Sequence, residues 1–366
     1  MLLHVVPSVR WGGPQRYALD ICRYYAGSAG WRVEAVTRDA LAVDTLFRKA
    51  GITLHYAPLG GLTDFSTPVI LGRIMTSMPE GESNIVHVHR YRDAFAALVG
   101  RHISHRHDIR VVMTRHTVER ARDSLLYRSI YPRLDAQIFV SQAALERFMA
   151  TWRHKRHPIP LERLHVIHNS LFLNDDFRPM PLPVRGPVTA MYHGRLTHGK
   201  GLETLIDAMV LLRDTSLRLR IVGSGPPDFV DELRRRALTR GVNDKIDWHR
   251  HTADPMPLIA ESHFGVLPSL RREGCGLANI EYMANGRPQV STANGAQGEY
   301  LANGHDALLV PVADTQALAD AMRALATDTA LRERMGCAAR ATYDSRLAWP
   351  YFADALRRAY TPGAQL

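Results

Sequence analysis

Cysteine is scarce in this sequence of 366 residues: the three cysteines, Cys22, Cys275 and Cys337, lie far apart and are odd in number. This argues against a disulfide framework and a cysteine-based zinc site, and it indicates a reducing compartment, with the cytoplasm as the expected location. No run of eighteen apolar residues occurs, so we expect no transmembrane helix. The first residues lack the basic region of a signal peptide and are typical of a buried strand.

Motifs that would mark other kinds of chemistry are also missing. The 18 histidines include no pair with the His-Glu-x-x-His or Cys–His spacing of a metal site. The spacing of a P-loop is absent as well. Gly223-Ser224-Gly225 follows an apolar strand, but Asp228 stands where a dinucleotide fingerprint has its third glycine. We therefore expect neither a bound metal nor a nicotinamide cofactor.

Charge is plentiful and unevenly distributed. The chain has 46 Lys and Arg against 36 Asp and Glu, a net of +10, and residues 1–175 hold 23 basic and 15 acidic side chains, a net of +8. This excess suggests an anionic partner for the first half, such as phospholipid headgroups or a phosphorylated acceptor. The alternative is an arginine-rich composition without a specific role. Net charge alone is weak support for nucleic-acid binding, which we do not expect.

Short apolar strands alternate with helical patterns twice along the chain, which predicts an α/β fold with two Rossmann-like domains. Four prolines between Arg178 and Pro187 interrupt the alternation. We predict domains at 1–178 and 188–346, a linker at 179–187, and a last helix within 347–366 that crosses back to the first domain. Such domains are expected to bind ligand at the carboxyl ends of their strands, in the crevice between them.

The segment from Pro268 to Glu281 is the richest candidate site. It follows an apolar strand, and its glycines would let backbone amides approach a ligand at the start of a helix. Glu273 would lie in the loop and Glu281 about two turns inside the helix, so that both carboxylates could accept hydrogen bonds from hydroxyl groups. The alternative is a capping loop with two surface glutamates.

Two further segments have the same pattern of a strand followed by glycine. In residues 192–201, Arg195 and Lys200 could converge on a diphosphate, or they could be solvated cations beside a turn. Trp11-Gly12-Gly13-Pro14 could let substrate lie against the backbone, or it could be a tight turn between strand and helix. His116 directly follows a predicted strand, whose carboxyl end would direct it into the crevice.

Together these segments resemble the retaining glycosyltransferases of family 4, which have the GT-B fold. That family's signature has two glutamates eight positions apart around a glycine-rich turn, and here it reads from Glu273 through Glu281 to Pro288. The similarity extends over most of the chain in the family's order. The other matching segments are Gly12-Gly13, Thr114-Arg115-His116, Val140-Ser141, Val166–Asn169, Gly194–Gly201, Gly223–Gly225 and Gly304–Pro311.

The resemblance implies a nucleotide-sugar donor, a glycan or lipid-linked acceptor and metal-independent chemistry, in agreement with the absence of an Asp-x-Asp motif. Arg195 and Lys200 would bind the donor diphosphate, Glu281 the ribose, and His116 would face the donor sugar. The implied catalytic residues are His116, Arg195, Lys200 and Glu273, and the implied donor-binding residues are Gly13, Gly194, Gly223, Gly225, Gly274, Cys275, Gly276, Leu277 and Glu281.

The sequence departs from the family's pattern at several positions. Cys275 replaces the usual aromatic residue, Tyr282 the usual alanine and Ser170 a glycine. These departures leave the donor sugar open. They also motivate one alternative, a binding protein without catalytic activity. A second alternative is a sugar-nucleotide epimerase of the same architecture. The basic, partly aromatic stretch 119–134 could rest on an anionic membrane or be an ordinary packing helix.

Overall fold

The computed structural model describes residues 1–7, 10–152, 158–173 and 176–361. The chain divides into two compact units. Unit 1 comprises Met1–Phe172 together with Trp349–Leu366, and unit 2 comprises Leu173–Ala348. Residues 362–366, the end of the predicted last helix, lie outside the described part of the chain. No helix in the described ranges has both the length and the apolar character that crossing a bilayer requires.

Unit 1 is built on a parallel sheet of seven strands in the order β3-β2-β1-β4-β5-β6-β7. Because the order reverses between β1 and β4, the carboxyl ends of these two strands form the switch point at which such sheets bind ligands. The strands are β1 (Leu2–Val5), β2 (Val33–Thr37), β3 (Thr53–Tyr56), β4 (Ile85–Val88), β5 (Arg110–Arg115), β6 (Ala136–Phe139) and β7 (Leu164–Val166).

Helices follow most of these strands, because parallel neighbours need crossover connections. In unit 1 they are α1 (Gly13–Gly27), α2 (Leu41–Lys49), α3 (Ser66–Thr76), α4 (Tyr91–Ile103), α5 (Leu125–Ile130) and α6 (Gln142–Met149). Helix α5 covers only part of the basic stretch 119–134. Most of the apolar side chains of that stretch pack into the core of unit 1, whereas Leu125 is 81% exposed.

Unit 2 repeats the arrangement with a parallel sheet of six strands in the order β10-β9-β8-β11-β12-β13. The strands are β8 (Thr189–His193), β9 (Arg218–Val222), β10 (Ile246–His249), β11 (Phe264–Leu267), β12 (Gln289–Thr292) and β13 (Leu308–Val310). The helices are α7 (Leu202–Leu211), α8 (Pro227–Thr239), α9 (Met256–Ala260), α10 (Leu277–Ala284), α11 (Gln297–Tyr300), α12 (Thr315–Thr327) and α13 (Thr329–Thr342). Here the order reverses between β8 and β11.

The last helix, α14 (Trp349–Tyr360), belongs to unit 1. Its buried side chains include Phe352, Leu356 and Tyr360, which join the apolar cluster on the face of the first sheet that α1 also covers. The Tyr360 hydroxyl lies 2.6 Å from Nδ1 of His87 in β4. The carboxyl-terminal segment of the chain is therefore part of the amino-terminal core.

Arg287, between α10 and β12, is a buried cation that binds backbone and no carboxylate among the described residues. Only 1% of the residue is exposed. Its guanidinium donates hydrogen bonds of 2.6–3.3 Å to the carbonyl oxygens of Ile259, Ala260, Asn285, Met180 and Pro181. Burial lowers its pKa to about 10, so it stays charged at neutral pH. Two of these carbonyls belong to the proline-rich segment, which Arg287 thereby fastens to unit 2.

Replacing Arg287 with methionine is expected to destabilise unit 2 by at least about 3 kcal/mol, because several buried carbonyl groups lose their donor. Hydrogen exchange of the peptide 176–187 should also accelerate, as its anchor is gone. Urea unfolding and exchange mass spectrometry measure the two effects. Arg323→Met is the control, since Arg323 forms an exposed pair with Asp214 and its loss should change little. Unchanged exchange of 176–187 would contradict the anchoring role.

Candidate functional site

The loop after β8 supplies the two predicted cations. Strand β8 ends at His193, Gly194 follows with φ +146°, and Arg195 is exposed. A short 3-10 turn, His198–Lys200, then leads into α7 through Gly201, whose φ is +71°. A Cβ at Gly201 would lie 2.0 Å from the carbonyl oxygen of Pro268, so only glycine allows this loop to touch the loop after β11.

This contact between loops brings Lys200 to Glu273. The Lys200 ammonium donates to Oε1 of Glu273 at 2.5 Å, and the Ser269 hydroxyl donates to the same oxygen. The side chains are 20% and 13% exposed, so the ion pair is largely shielded from water. The sequence singled out both residues as candidate ligand contacts, and the structure joins them. An anionic ligand at this edge would compete with Glu273 for the ammonium group.

The loop after β11 is held from the other side by the segment after β12. The Glu273 carbonyl accepts a hydrogen bond of 3.1 Å from the amide of Ala296, and a Cβ at Gly295 would lie 2.3 Å from that carbonyl oxygen. Gly274 and Cys275 are buried, and the Tyr300 hydroxyl donates to the Cys275 carbonyl at 2.5 Å. The side chain of Cys275 is therefore buried within the loop, at a position where the family usually has a larger aromatic side chain.

Gly276 caps α10 in the left-handed region, with φ +71° and ψ 56°. Helix α10 then begins at Leu277. The amide of Asn279 donates to the Gly276 carbonyl at 2.8 Å, whereas the amides of Leu277 and Ala278 come too early in the helix to have a carbonyl partner within it. These amides and the positive end of the helix dipole favour oxygen-rich or anionic ligands. Glu273 in the loop and the start of α10 thus offer acceptors and donors side by side.

Glu281 is buried in α10, at 6% exposure, and pairs with a histidine that the sequence analysis did not single out. His193 Nε2 lies 2.6 Å from Oε2 of Glu281, and its Nδ1 lies 2.8 Å from the Tyr282 hydroxyl. That hydroxyl donates to the carbonyl of Met191, so it accepts from His193. His193 could have been found from its place at the carboxyl end of β8.

Tyr282, which replaces the family's usual alanine, is accommodated by a glycine in the neighbouring strand. A Cβ at Gly265 in β11 would lie 2.1 Å from the Tyr282 ring. The tyrosine is fully buried and its hydroxyl joins His193 to the Met191 backbone. The larger side chain therefore occupies space that a glycine leaves in the sheet, and it orients the partner of Glu281.

Gly223 and Gly225 join the loop after β9 to the loop after β8. A Cβ at Gly223 would lie 2.0 Å from the carbonyl oxygen of Gly194, and one at Gly225 would lie 2.0 Å from that of Leu196. The Leu196 amide donates to the Ser224 carbonyl at 2.9 Å. Both glycines are therefore needed for backbone contact between loops, whether or not a ligand also touches them.

The unit 1 candidates are His116, which follows β5, and Gly13, at the start of α1. His116 is half-buried and belongs to a group of four histidines with His4, His87 and His89. Burial lowers the pKa of His4 to about 3 and that of His116 to about 4, so these imidazoles are neutral at pH 7. Within the described ranges no set of His, Cys, Asp or Glu could hold a metal ion.

Two family models match the chain, one in each unit. The model described as "Glycosyltransferase Family 4" matches residues 11–173, and that described as "Glycosyl transferases group 1" matches residues 187–328. The doubly wound sheets and these matches define a glycosyltransferase of the GT-B class. The chain belongs to the group 1 glycosyltransferases of family 4, which confirms the predicted family and fold.

Several known proteins are similar to this chain. The D-inositol 3-phosphate glycosyltransferase of Jonesia denitrificans is 26% identical over 95% of this chain and 91% of its own length. A glycogen synthase of Mycobacterium tuberculosis is 31% identical over 49% of this chain, and the match spans only 43% of that relative. The structure of Anabaena HepE in complex with UDP and glucose has a TM-score of 0.80 at 18% identity, covering 98% of both chains.

Gly223→Ala is expected to destabilise unit 2 by about 1–3 kcal/mol, because the added methyl group forces the two loops apart. The matched control is Gly298→Ala, whose new Cβ meets nothing closer than 3.9 Å. Thermal unfolding and hydrogen exchange of the loop after β8 measure the difference. Equal melting temperatures for the two variants would show that the contact between the loops tolerates a side chain at position 223.

Proposed function

We propose that this protein transfers a sugar from a UDP- or GDP-sugar to a glycan or lipid-linked acceptor, in the synthesis of a cell-surface polysaccharide or glycolipid. The observation that carries the proposal is the joining of Lys200, Glu273 and the start of α10 at the carboxyl edge of the unit 2 sheet. Cations, carboxylates and the amides at the start of a helix, all at one edge, match the diphosphate and hydroxyl groups of a nucleotide-sugar. The bound UDP and glucose of HepE support this choice of ligand.

Each group has a distinct proposed role toward the donor. Arg195 and Lys200 bind the diphosphate and stabilise the charge that develops as it leaves. Lys200 would then exchange its bond to Glu273 for one to phosphate. Glu273 and the amides of residues 274–277 hold the donor sugar, while Glu281, oriented by His193, accepts from the ribose hydroxyls. Gly194, Gly223 and Gly225 let the donor approach the backbone.

Unit 1 supplies the remaining proposed contacts, with His116 at the donor sugar and Gly13 beside the phosphate. In the proposed reaction the bond between the sugar's anomeric carbon and the diphosphate oxygen breaks, and the acceptor oxygen attacks that carbon from the same face. The leaving phosphate takes the acceptor's proton. Configuration is retained and no metal ion takes part.

An anionic acceptor agrees with the positive charge of unit 1, and a relative of this chain is named for its action on an inositol phosphate. We therefore favour a phosphorylated or lipid-linked acceptor on the cytoplasmic side. Contact with an anionic membrane stays a prediction. It is supported by Leu125, which offers an exposed apolar side chain beside Arg122 and Arg128. Sedimentation with anionic vesicles at low and high salt measures it, and no binding at either salt would exclude it.

A panel of UDP- and GDP-sugars is expected to contain one donor that raises the melting temperature of the wild type. A ligand at a hundred times its dissociation constant adds about 2.7 kcal/mol. Glu281→Gln should lose most of this stabilisation, because the ribose hydroxyls lose a charged acceptor. Glu261→Gln, which alters an exposed carboxylate of the same unit, should keep it. No stabilisation by any donor would remove the basis for the enzyme proposal.

Lys200→Met is expected to lower kcat by roughly 10²–10³-fold, since charge on the leaving diphosphate loses its cation. Lys49→Met, at the exposed end of α2 in unit 1, is the control. Product formation on inositol phosphate and oligosaccharide acceptors gives the rate, and NMR of the product gives the anomeric configuration. We expect retention and no effect of EDTA. Donor binding without turnover would favour a non-catalytic binding protein. Isomerisation of the donor without an acceptor would favour an epimerase.

A further inference from the structure

The proposed function uses one member of the histidine group in unit 1 and leaves the other three without a role. His4 lies in β1, His87 in β4, and His89 and His116 directly follow β4 and β5. His4 is paired in register with His87, and the spacing of two residues places His89 on the same face of the sheet as His87. Helices α1 and α14 cover this face with Tyr17 and Tyr360.

Three of the four rings form a continuous hydrogen-bonded chain that ends at His116. Nδ1 of His4 lies 3.2 Å from Nε2 of His89, and Nδ1 of His89 lies 3.1 Å from Nε2 of His116. His87 stands beside the chain, with Nδ1 at 2.6 Å from the Tyr360 hydroxyl and Nε2 at 2.7 Å from the Thr114 hydroxyl. Every step from His4 to His116 therefore joins one imidazole directly to the next.

The hydrogen bonds between these three histidines allow only two directions of donation. Burial keeps the pKa values of His4, His89 and His116 below the usual range, so each ring carries one N–H and one lone pair. Each contact between rings needs one donor and one acceptor. The protons therefore all lie on Nδ1, with donation from His4 toward His116, or they all lie on Nε2, with donation in reverse.

The far end of the chain decides between these directions. Nε2 of His4 is buried and has no hydrogen-bond partner among the described residues, and His4 is 0% exposed. In the reverse direction this nitrogen would carry a buried N–H without an acceptor. Orphaned N–H groups are rarer in protein interiors than acceptors with an unused lone pair. Hydrogen-bond donation therefore proceeds from His4 to His89 and from His89 to His116.

We propose that His4 and His89 are positioning residues that hold His116 as its Nδ1–H tautomer, so that His116 serves the donor sugar as a neutral hydrogen-bond donor. Nε2 of His116 accepts from His89 and Nδ1 carries the proton, so neither nitrogen can take a proton from the acceptor. Deprotonation is thereby left to the leaving phosphate. The role at the sugar rests on the proposed function, whereas the tautomer does not.

The tautomer is measured directly by two-bond ¹H–¹⁵N spectra of protein labelled at histidine, with His116 assigned by its loss in His116→Gln. We expect the Nδ1–H pattern in the wild type at pH 7.5. His4→Asn should preserve it, because the asparagine amide donates from the place of Nδ1, whereas His4→Asp should shift His116 toward Nε2–H, because a carboxylate in that place only accepts and therefore reverses the direction of donation. An Nε2–H pattern in the wild type, or an unchanged pattern in His4→Asp, overturns the proposal.

Binding separates the effect at the sugar from general damage. His4→Asp should weaken the binding of UDP-glucose or GDP-mannose, whichever stabilises the wild type, by roughly two- to twelve-fold, and leave the binding of the corresponding nucleoside diphosphate unchanged. His4→Asn should bind both like the wild type. Equal loss for diphosphate and nucleotide-sugar would contradict the positioning role. Failure of every nucleotide-sugar to bind the wild type refutes the proposed function instead, and the spectra still decide the tautomer.

A second pair of variants leaves the buried sheet intact. The amide of His116→Asn stands in for Nδ1–H, and the amide of His116→Gln stands in for Nε2–H. If His116 donates from Nδ1, the asparagine variant should bind the nucleotide-sugar more tightly than the glutamine variant, with equal affinity for the nucleoside diphosphate. The opposite order would refute donation from Nδ1.

Discussion

Close contact between backbone segments at glycines is the constraint on which the functional edge of unit 2 depends. In each contact a Cβ would lie 2.0–2.3 Å from a carbonyl oxygen of a neighbouring loop, a distance that no side chain tolerates. These contacts tie together the loops after four strands of the sheet. They also place Lys200 against Glu273. The glycines concerned are Gly201, Gly223, Gly225 and Gly295.

In both units, buried polar side chains near the candidate binding residues are held by partners that fix their orientation. In unit 2, His193 joins the Glu281 carboxylate to the Tyr282 hydroxyl, and Arg287 donates to five backbone carbonyl groups. In unit 1 three of the four grouped imidazoles bind one another, and His87 binds two hydroxyl groups. Buried polar groups that lack partners are costly, so such networks favour one arrangement of each side chain. The candidate binding groups are therefore oriented before any ligand arrives.

The sequence predicted the family, the GT-B fold and the alternation of strands and helices, and the comparisons confirm the family and fold. It could do so because alternating strands and helices and ordered glycine motifs are local patterns. The roles of Lys200, Glu273 and Glu281 stay predictions. Sequence reasoning missed His193, His4 and His89, because each gains its importance from a neighbour distant in the chain.

The sequence by itself thus determined which loops follow strands, and so which glycines, cations and carboxylates lie at the binding edge of each sheet. Only the tertiary structure decided which of them meet. The pairing of Lys200 with Glu273 spans 73 positions and that of His4 with His89 spans 85. Such partners are set by strand order and register, which depend on the packing of the whole unit and leave no pattern in a local stretch of sequence.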